Sequence, residues 1–467
     1  MTIKTSRRRF VRDAAGALTL AAASHASAQS LARSSKPNIV LFLADDLGYG
    51  DVGCYGRRDI KTPTIDGLAG EGTLFRSFYS NGSECSPTRA ALLTGRYQHR
   101  VGGLECAIGV GNVGRYDDAI RLQKAGELGL PVQETSIARL LKDAGYRTAL
   151  CGKWHLGYEP KFSPTSHGFD HAFYAIGGAI DYFHHSEPPP STIHGLYLDD
   201  RPIKRDGYFT DLVTDEATAF IDRQSDARPF FLYVPYTAPH APFQGPADRR
   251  ADPLPPDSEL WKQGAAPKDT YRAMIERMDE GMAVILKRLA QKGMAGNTLV
   301  LFMSDNGGTG SARNAPFSGH KGGVFEGGIR VPCIARWPGI LKPGSLSDAA
   351  CMTMDFSASI LRAAGASPRQ GHPFDGVDIL RHEQEQKPVE KRALFWRARR
   401  ADTTHRAVRE GSLKYIRIER ASGGEEHLFD LLQDPGEQRD LLPERTADVS
   451  RLKKLLNEWE ERVKPVR

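Results

Sequence analysis

Three observations predict an α/β fold built on a large, mainly parallel sheet flanked by helices. Four apolar runs of strand length recur along the chain, amphipathic helical patterns lie between them, and each run ends in polar residues. Past about Gly376 the texture changes to short strand-like pieces close together in sequence, which predicts a smaller C-terminal α+β subdomain containing an antiparallel sheet. The expected organisation is an export segment over residues 1–28, a large α/β domain over 29–376 and the small subdomain over 377–467.

The chain opens on an address. Ser6-Arg7-Arg8-Arg9-Phe10-Val11 has the form of a twin-arginine signal, followed by an apolar stretch from Ala14 to Ala23 and a small-residue site at Ala26-Ser27-Ala28, so cleavage is expected after Ala28. The twin-arginine export machinery is then a partner, and the mature protein is expected to be periplasmic or secreted. The apolar stretch is too short to span a bilayer and no later run is long enough, so stable membrane insertion is not expected. A basic amphipathic anchor is the alternative, but the alanine-rich stretch has no polar face. The segment carries five basic residues against one acidic, so its removal lowers the net charge from +6 to +2. A chain so close to neutral gives no ground for nucleic-acid binding, and the function must be sought in a local site. Six cysteines, at 54, 85, 106, 151, 333 and 351, are too few for a disulfide scaffold and show no metal-ligand spacing. Folding in a reducing cytosol before export predicts mostly free, buried thiols.

Taken in order, a polar linker from Ser30 to Lys36 precedes the first strand, Asn38 to Ala44. Pro87 suits the first position of a helix running to about Thr94, with Gly95 beyond its end. Ser136 to Ala144 reads as a helix with Thr135 as N-cap and Gly145 as stop, and Arg147 to Cys151 as the second strand. Gly177 to Arg205, with Pro188, Pro189, Pro190 and several histidines, reads as a long surface excursion. Pro229 to Tyr236 is the third strand. Tyr271 to Lys292 is a helix, apolar at Met274, Met278, Ile285 and Leu289, and Thr298 to Ser304 is the fourth strand. In the subdomain, strand-like pieces at Ala393 to Arg397, Arg406 to Arg409, Leu413 to Arg417 and His427 to Leu431 precede a helix from Ala447 to Val463.

Ligands of open α/β sheets collect at the carboxyl ends of the strands. The first strand is followed by Asp45 and Asp46, the second by Lys153 and His155, the third by His240 and the fourth by Asp305 and Asn306. Asp45, Asp46, Asp305 and Asn306 offer only oxygen ligands, which suits a hard cation such as Ca²⁺ or Mg²⁺; strand-end acids also cap turns. Cys85, ahead of Pro87, sits at a helix N-terminus where backbone amides and the helix dipole favour anions, and Arg89, four residues on, shares its face. An unmodified thiolate there would be a redox or acyl-transfer candidate, but no adjacent base of the Cys-His protease kind is apparent.

Cys85-Ser86-Pro87-Thr88-Arg89 followed by Leu93-Thr94-Gly95-Arg96, together with Ser304-Asp305-Asn306-Gly307, resembles the type I sulfatases of the alkaline phosphatase superfamily along nearly the whole exported chain. Within that family the motif texture is nearest to arylsulfatase A and N-acetylgalactosamine-6-sulfatase relatives. The resemblance implies an alkaline-phosphatase-like fold and oxidation of Cys85 to formylglycine by a formylglycine-generating enzyme. It also implies a metal, usually calcium, held by Asp45, Asp46, Asp305 and Asn306. In Gly319-His320-Lys321-Gly322-Gly323 it makes Lys321 a substrate-anion lysine, and Lys153, His155 and His240 match likewise. The implied reaction is hydrolysis of an aryl or carbohydrate sulfate monoester. The cation, Arg89, Lys153 and Lys321 withdraw charge, and one hydroxyl of the aldehyde hydrate attacks sulfur with help from a carboxylate such as Asp46. His240 or Lys321 then protonates the leaving alcohol, and His155 removes the second hydroxyl's proton to release sulfate. The rivals are a formylglycine-dependent phosphonate or phosphodiester hydrolase and a non-catalytic binder of sulfated glycans.

Weaker pocket candidates are His184, His185 and His194 in the excursion, and His405, Lys414 and the Leu413 to Ile418 stretch in the subdomain. Asn81-Gly82-Ser83 is a formal glycosylation triplet whose place beside Cys85 argues against use.

Overall fold

The apolar run Asn38–Ala44 has no polar face to turn to water, and in the computed structural model it lies between two parallel neighbours, Phe230–Pro235 and Thr298–Ser304. Residues 36–109, 116–188, 191, 193–264 and 266–465 are described, so the export signal, its cleavage site and most of the linker lie outside the described residues. Alternate residues of the central strand serve opposite faces. Ile39, Leu41 and Leu43 join one core with the helices Cys85–Thr94, Ile137–Asp143 and Thr353–Ala363. Val40, Phe42 and Ala44 join the other, with Pro63–Glu71, Phe209–Asp222 and Lys268–Gln291.

The sheet has ten strands in the order Ser345–Ser347, Thr73–Phe75, Cys333–Arg336, Thr298–Ser304, Asn38–Ala44, Phe230–Pro235, Arg147–Lys153, His171–Ala175, Leu196–Leu198, Arg201–Pro202. The strands from Thr298–Ser304 to His171–Ala175 are parallel; Cys333–Arg336 on one side and Leu196–Leu198 on the other pair antiparallel with them, and the outermost pair on the first side, Thr73–Phe75 with Ser345–Ser347, is parallel. A separate four-stranded antiparallel sheet follows the chain through Ala393–Arg400, Thr403–Glu410, Leu413–Arg420 and Gly423–Asp430, with Thr446–Arg462 packed on it through Leu452, Leu456 and Trp459. Tyr79, Val324, Ile329 and Met354 share that core, which bonds the small sheet to the loops at the carboxyl edge of the large one.

The four expected main strands are present, and the second runs on to Lys153. Helix starts differ. Ser136 caps Ile137–Asp143, its hydroxyl accepting the Arg139 amide at 3.0 Å, so Thr135 is not the N-cap. The helix assigned to Pro87 begins two residues earlier, at Cys85. The excursion is not all surface: it adds the edge strands Leu196–Leu198 and Arg201–Pro202 and buries Ile180, Asp181 and Tyr182. All six cysteines are free, and all but Cys54 are buried. Among the described residues no helix is long and apolar enough to cross a membrane.

Candidate active site

Because neighbouring parallel strands end on one edge, Asp45 and Asp46, Lys153 and His155, His240, and Asp305 and Asn306 are delivered to the same place from four strands. The helix Cys85–Thr94 aims its first turn at that edge. Cys85 Sγ lies 3.2 Å from Asp45 Oδ1 and 3.9 Å from Asp46 Oδ1, so the carboxylate nearer the nucleophile position is Asp45, not the Asp46 favoured from sequence. Lys153 Nζ donates to Asp45 Oδ2 at 2.5 Å and Lys321 Nζ to Asp46 Oδ2 at 2.8 Å. Arg89 spends its guanidinium on Asp305 Oδ2, at 3.0 and 2.8 Å, and on the Lys153 carbonyl at 3.1 Å; its role is to join helix and strand ends. The lysine loop is pinned by Gly322 N donating to Ser83 O, and Gly319 and Gly322 have the positive φ expected of that turn. Asp46 and His155 also sit at φ near +60°, a costly conformation for residues with side chains and one that clusters at functional sites.

Charges balance within this buried group: Asp45, Asp46 and Asp305 face Arg89, Lys153 and Lys321. Burial alone would raise the Asp46 carboxyl, but Lys321 and then His240 pull it down to about 2. Asp305 is pushed up to about 6 by burial and by Asp45 beside it. Burial and Lys321 drop His240 to about 3, and burial and Lys153 push His155 well below its ordinary value, so both rings are neutral at pH 7. Burial and Asp45 raise the Cys85 thiol well above its ordinary value, so an unconverted cysteine here is a poor nucleophile. His155 Nε2 donates to Ile108 O at 2.6 Å; the neutral ring then has its lone pair on Nδ1, which meets no donor among the described residues.

The residues fit a hard dication. Oxygen atoms of Asp45 and Asp46 gather with Cys85 Sγ and a His240 nitrogen within 4.8 Å of one another. Asn306 Oδ1 is buried without a partner among the described residues. His240 Nδ1 donates to Ala241 O, and its Nε2, 3.6 Å from Asp46 Oδ2, accepts from Gln263 Nε2 at 3.1 Å. Gathered carboxylates and an amide oxygen without a donor are what a hard cation would satisfy.

Every residue selected for the site from sequence meets in this group. The weaker candidates do not. His184, His185 and His194 bond the carbonyls of Arg250, Gly207 and Ile203, His405 is half-buried and does not line the cleft, and Lys414 is buried between Glu326 and Glu437. Leu413 to Ile418 is a largely buried strand and lines no part of the cleft. Asn81 is fully buried, which closes the glycosylation triplet. The cleft over Cys85 encloses about 930 Å³, and its other walls were missed: Tyr158, Glu187, Gln263 and Arg400. Arg400, from the small sheet, grips both oxygens of Glu84 beside Cys85.

A family model described as Sulfatase matches residues 37–366, and one described as N-sulphoglucosamine sulphohydrolase, C-terminal, matches residues 320–463. N-acetylgalactosamine-6-sulfatase of Canis lupus familiaris is 36% identical over 360 residues, covering 74% of this chain and 65% of that protein. The chain therefore spans about 65% of the length of this relative. Arylsulfatase A of Bos taurus is 31% identical over 467 residues, covering 89% of this chain and 85% of that protein. The solved structure of Ps i-CgsB in complex with k-i-k-neocarrahexaose superposes with a TM-score of 0.78 at 29% identity, covering 91% of this chain and 93% of that one. The Sulfatase model spans the strand-end acids and the helix Cys85–Thr94, and this chain belongs to the sulfatase family.

Proposed function

We propose that the protein hydrolyses a sulfate monoester of a carbohydrate or aryl alcohol, releasing the alcohol and inorganic sulfate. Convergence of ten chemistry-bearing side chains on the carboxyl edge of one sheet carries this reading. The sugar-sulfatase name of the dog relative and the carbohydrate in the Ps i-CgsB complex favour a carbohydrate ester.

Residue 85 acts as formylglycine, made from Cys85 by a formylglycine-generating enzyme, and Asp45, Asp46, Asp305 and Asn306 hold Ca²⁺ or Mg²⁺. Together these groups supply an aldehyde hydrate as nucleophile and a positive centre for the sulfate oxygens. Arg89 fixes Asp305 against the helix Cys85–Thr94, and Lys153, at the end of its own strand, holds Asp45. Lys321 remains an ammonium, its pKa raised because Asp46 outweighs the cost of burial, and it is the group that carries a proton for the leaving alcohol; neutral His240 does not. His155, with Nδ1 free, accepts the proton whose removal expels sulfate. The mature chain acts in the periplasm or outside the cell after twin-arginine export.

Comparison of kcat/KM on matched aryl sulfate and aryl phosphate esters tests the reading. Preference for sulfate by at least a hundredfold is expected. Preference for the phosphorus ester would make it a phosphonate or phosphodiester hydrolase, and absence of turnover on both would leave a sulfated-glycan binder.

A further inference from the structure

The cleft has a wall that the reaction does not use. Glu187 is 5% exposed and lines the same cavity as Cys85, His155 and Lys321, yet it forms no ion pair among the described residues. Among the described residues its Oε2 accepts only a long bond, 3.4 Å, from Ser191 Oγ. The Tyr158 hydroxyl is near enough to bias the carboxyl's ionisation, but Oε1 meets no donor at hydrogen-bonding geometry among the described residues. A buried carboxyl whose neighbours are hydroxyls and not cations is dominated by desolvation, and burial pushes Glu187 up to about 7.

The backbone beside it has been cleared of side chains. A Cβ at Gly177 would lie 1.7 Å from Glu187 Oε1 and 2.6 Å from the Tyr158 hydroxyl, and a Cβ at Gly178 would lie 2.7 Å from the His155 ring. Neither glycine has a φ in the left-handed region, so the small residue is required by space and not by backbone conformation. The carboxyl and the imidazole thus close on two adjacent residues, and Glu187 lines the same cavity as Cys85 and Lys321. A purely structural glutamate in such a position would be expected to hold a cation or a backbone amide. This one lines the cleft with Oε1 buried against Gly177 and Tyr158, which leaves Oε2, held among the described residues by the long Ser191 bond alone, as the oxygen on offer to a ligand.

We propose that Glu187, with Tyr158 beside it, recognises a hydroxyl group of the alcohol part of the substrate, and so selects a sulfated sugar ring that is uncharged at the position facing it. The assignment rests on the sulfate-ester reading above and supplies what that reading lacks, a residue for the leaving group. A carboxyl that both gives and accepts a hydrogen bond suits a hydroxyl, whereas a uronate carboxylate or a second sulfate at this position would meet an acid. A flat aryl alcohol offers it no partner, which makes an aryl sulfate the internal reference.

The test measures kcat/KM for a sulfated neutral monosaccharide relative to 4-nitrophenyl sulfate in the metal-loaded wild type and in Glu187→Ala, Glu187→Asp and Glu187→Gln. The sugar-to-aryl ratio is expected to fall ten- to a hundredfold in Glu187→Ala and at least fivefold in Glu187→Asp, which withdraws the carboxyl by one methylene. Glu187→Gln keeps a donor and an acceptor in place and is expected to hold the ratio within threefold. A ratio within twofold of wild type in both Glu187→Ala and Glu187→Asp overturns the assignment, and Glu187→Asp serves if Glu187→Ala does not fold. Failure of the wild type on both substrates removes the sulfate-ester reading itself, whereas turnover with an unmoved ratio removes only the role of Glu187.

Discussion

Lys414 tests how the small sheet supports the site. Its ammonium lies 2.8 Å from Glu326 Oε1 and 2.9 Å from Glu437 Oε1, with all three side chains fully buried. Glu326 opens the short helix Glu326–Ile329 just after the loop that carries Lys321, and its backbone amide donates to Glu437 Oε2. Replacing Lys414 with Met keeps the volume and leaves two buried carboxylates without their shared cation. Glu326 retains Tyr79 Oη at 2.6 Å and Arg330 Nη1 at 3.1 Å, so it stays supported; the Glu437 carboxylate keeps only the Glu326 amide among the described residues. One stranded charge, not two, puts the loss at the lower end of the range for a broken buried ion pair, about 3 kcal/mol. Chemical denaturation of the wild type and Lys414→Met measures it. The loop bearing Lys321 is expected to loosen as well, with kcat/KM on an aryl sulfate falling about tenfold or more. Glu437→Gln added to Lys414→Met removes the stranded charge and is expected to return at least about 1 kcal/mol. A loss under about 1 kcal/mol in the single variant, or no recovery in the double, would refute the idea that this buried triad pins the lysine loop.

Three further outcomes follow from the same geometry. Cys85→Ser is expected to react once and stall, because a serine sulfate has no second hydroxyl to expel it; rapid-quench measurement of alcohol release should show a burst of about one equivalent without steady turnover. Gly178→Ala should drive a methyl group into the His155 ring and lower kcat tenfold or more while circular dichroism stays native, and unchanged kcat would place the ring elsewhere. Burial lowers His99 to about 4 from an ordinary 6.5, so its contribution is intact above pH 6.5 and is lost as pH falls toward 4. Between pH 7 and 4.5 wild type should lose about 2 kcal/mol more than His99→Gln, which keeps a donor for Arg397 O, and parallel pH profiles would contradict this.

What was legible in the sequence is the part dictated by burial on two sides. Asn38–Ala44 and Thr298–Ser304 are continuous apolar runs because both sheet faces are covered, so their ends, and the acids that follow them, could be read directly. The small sheet was placed but its eight-residue strands were cut short, since Thr403–Glu410 and Gly423–Asp430 carry many polar and partly exposed residues. The start of the helix Cys85–Thr94 was misplaced because Glu84, its N-cap, offers no capping bond: its carboxylate is held by Arg400 and the Ala107 amide. Glu187 and Arg400 were invisible for a different reason. Neither follows a buried strand of the large sheet, and only the tertiary fold brings the excursion and a hairpin over the cleft. The glycine pair 177–178, where the excursion begins, is the available signal for the first.

The most direct test of the account is the chemical state of residue 85 in active protein. Tryptic peptide 77–89 from the enzyme, probed with an aldehyde-reactive hydrazide and weighed by mass spectrometry, should carry an aldehyde in place of the thiol, in a fraction that rises with specific activity. Full sulfate-ester turnover by protein in which that peptide retains an intact cysteine would contradict it.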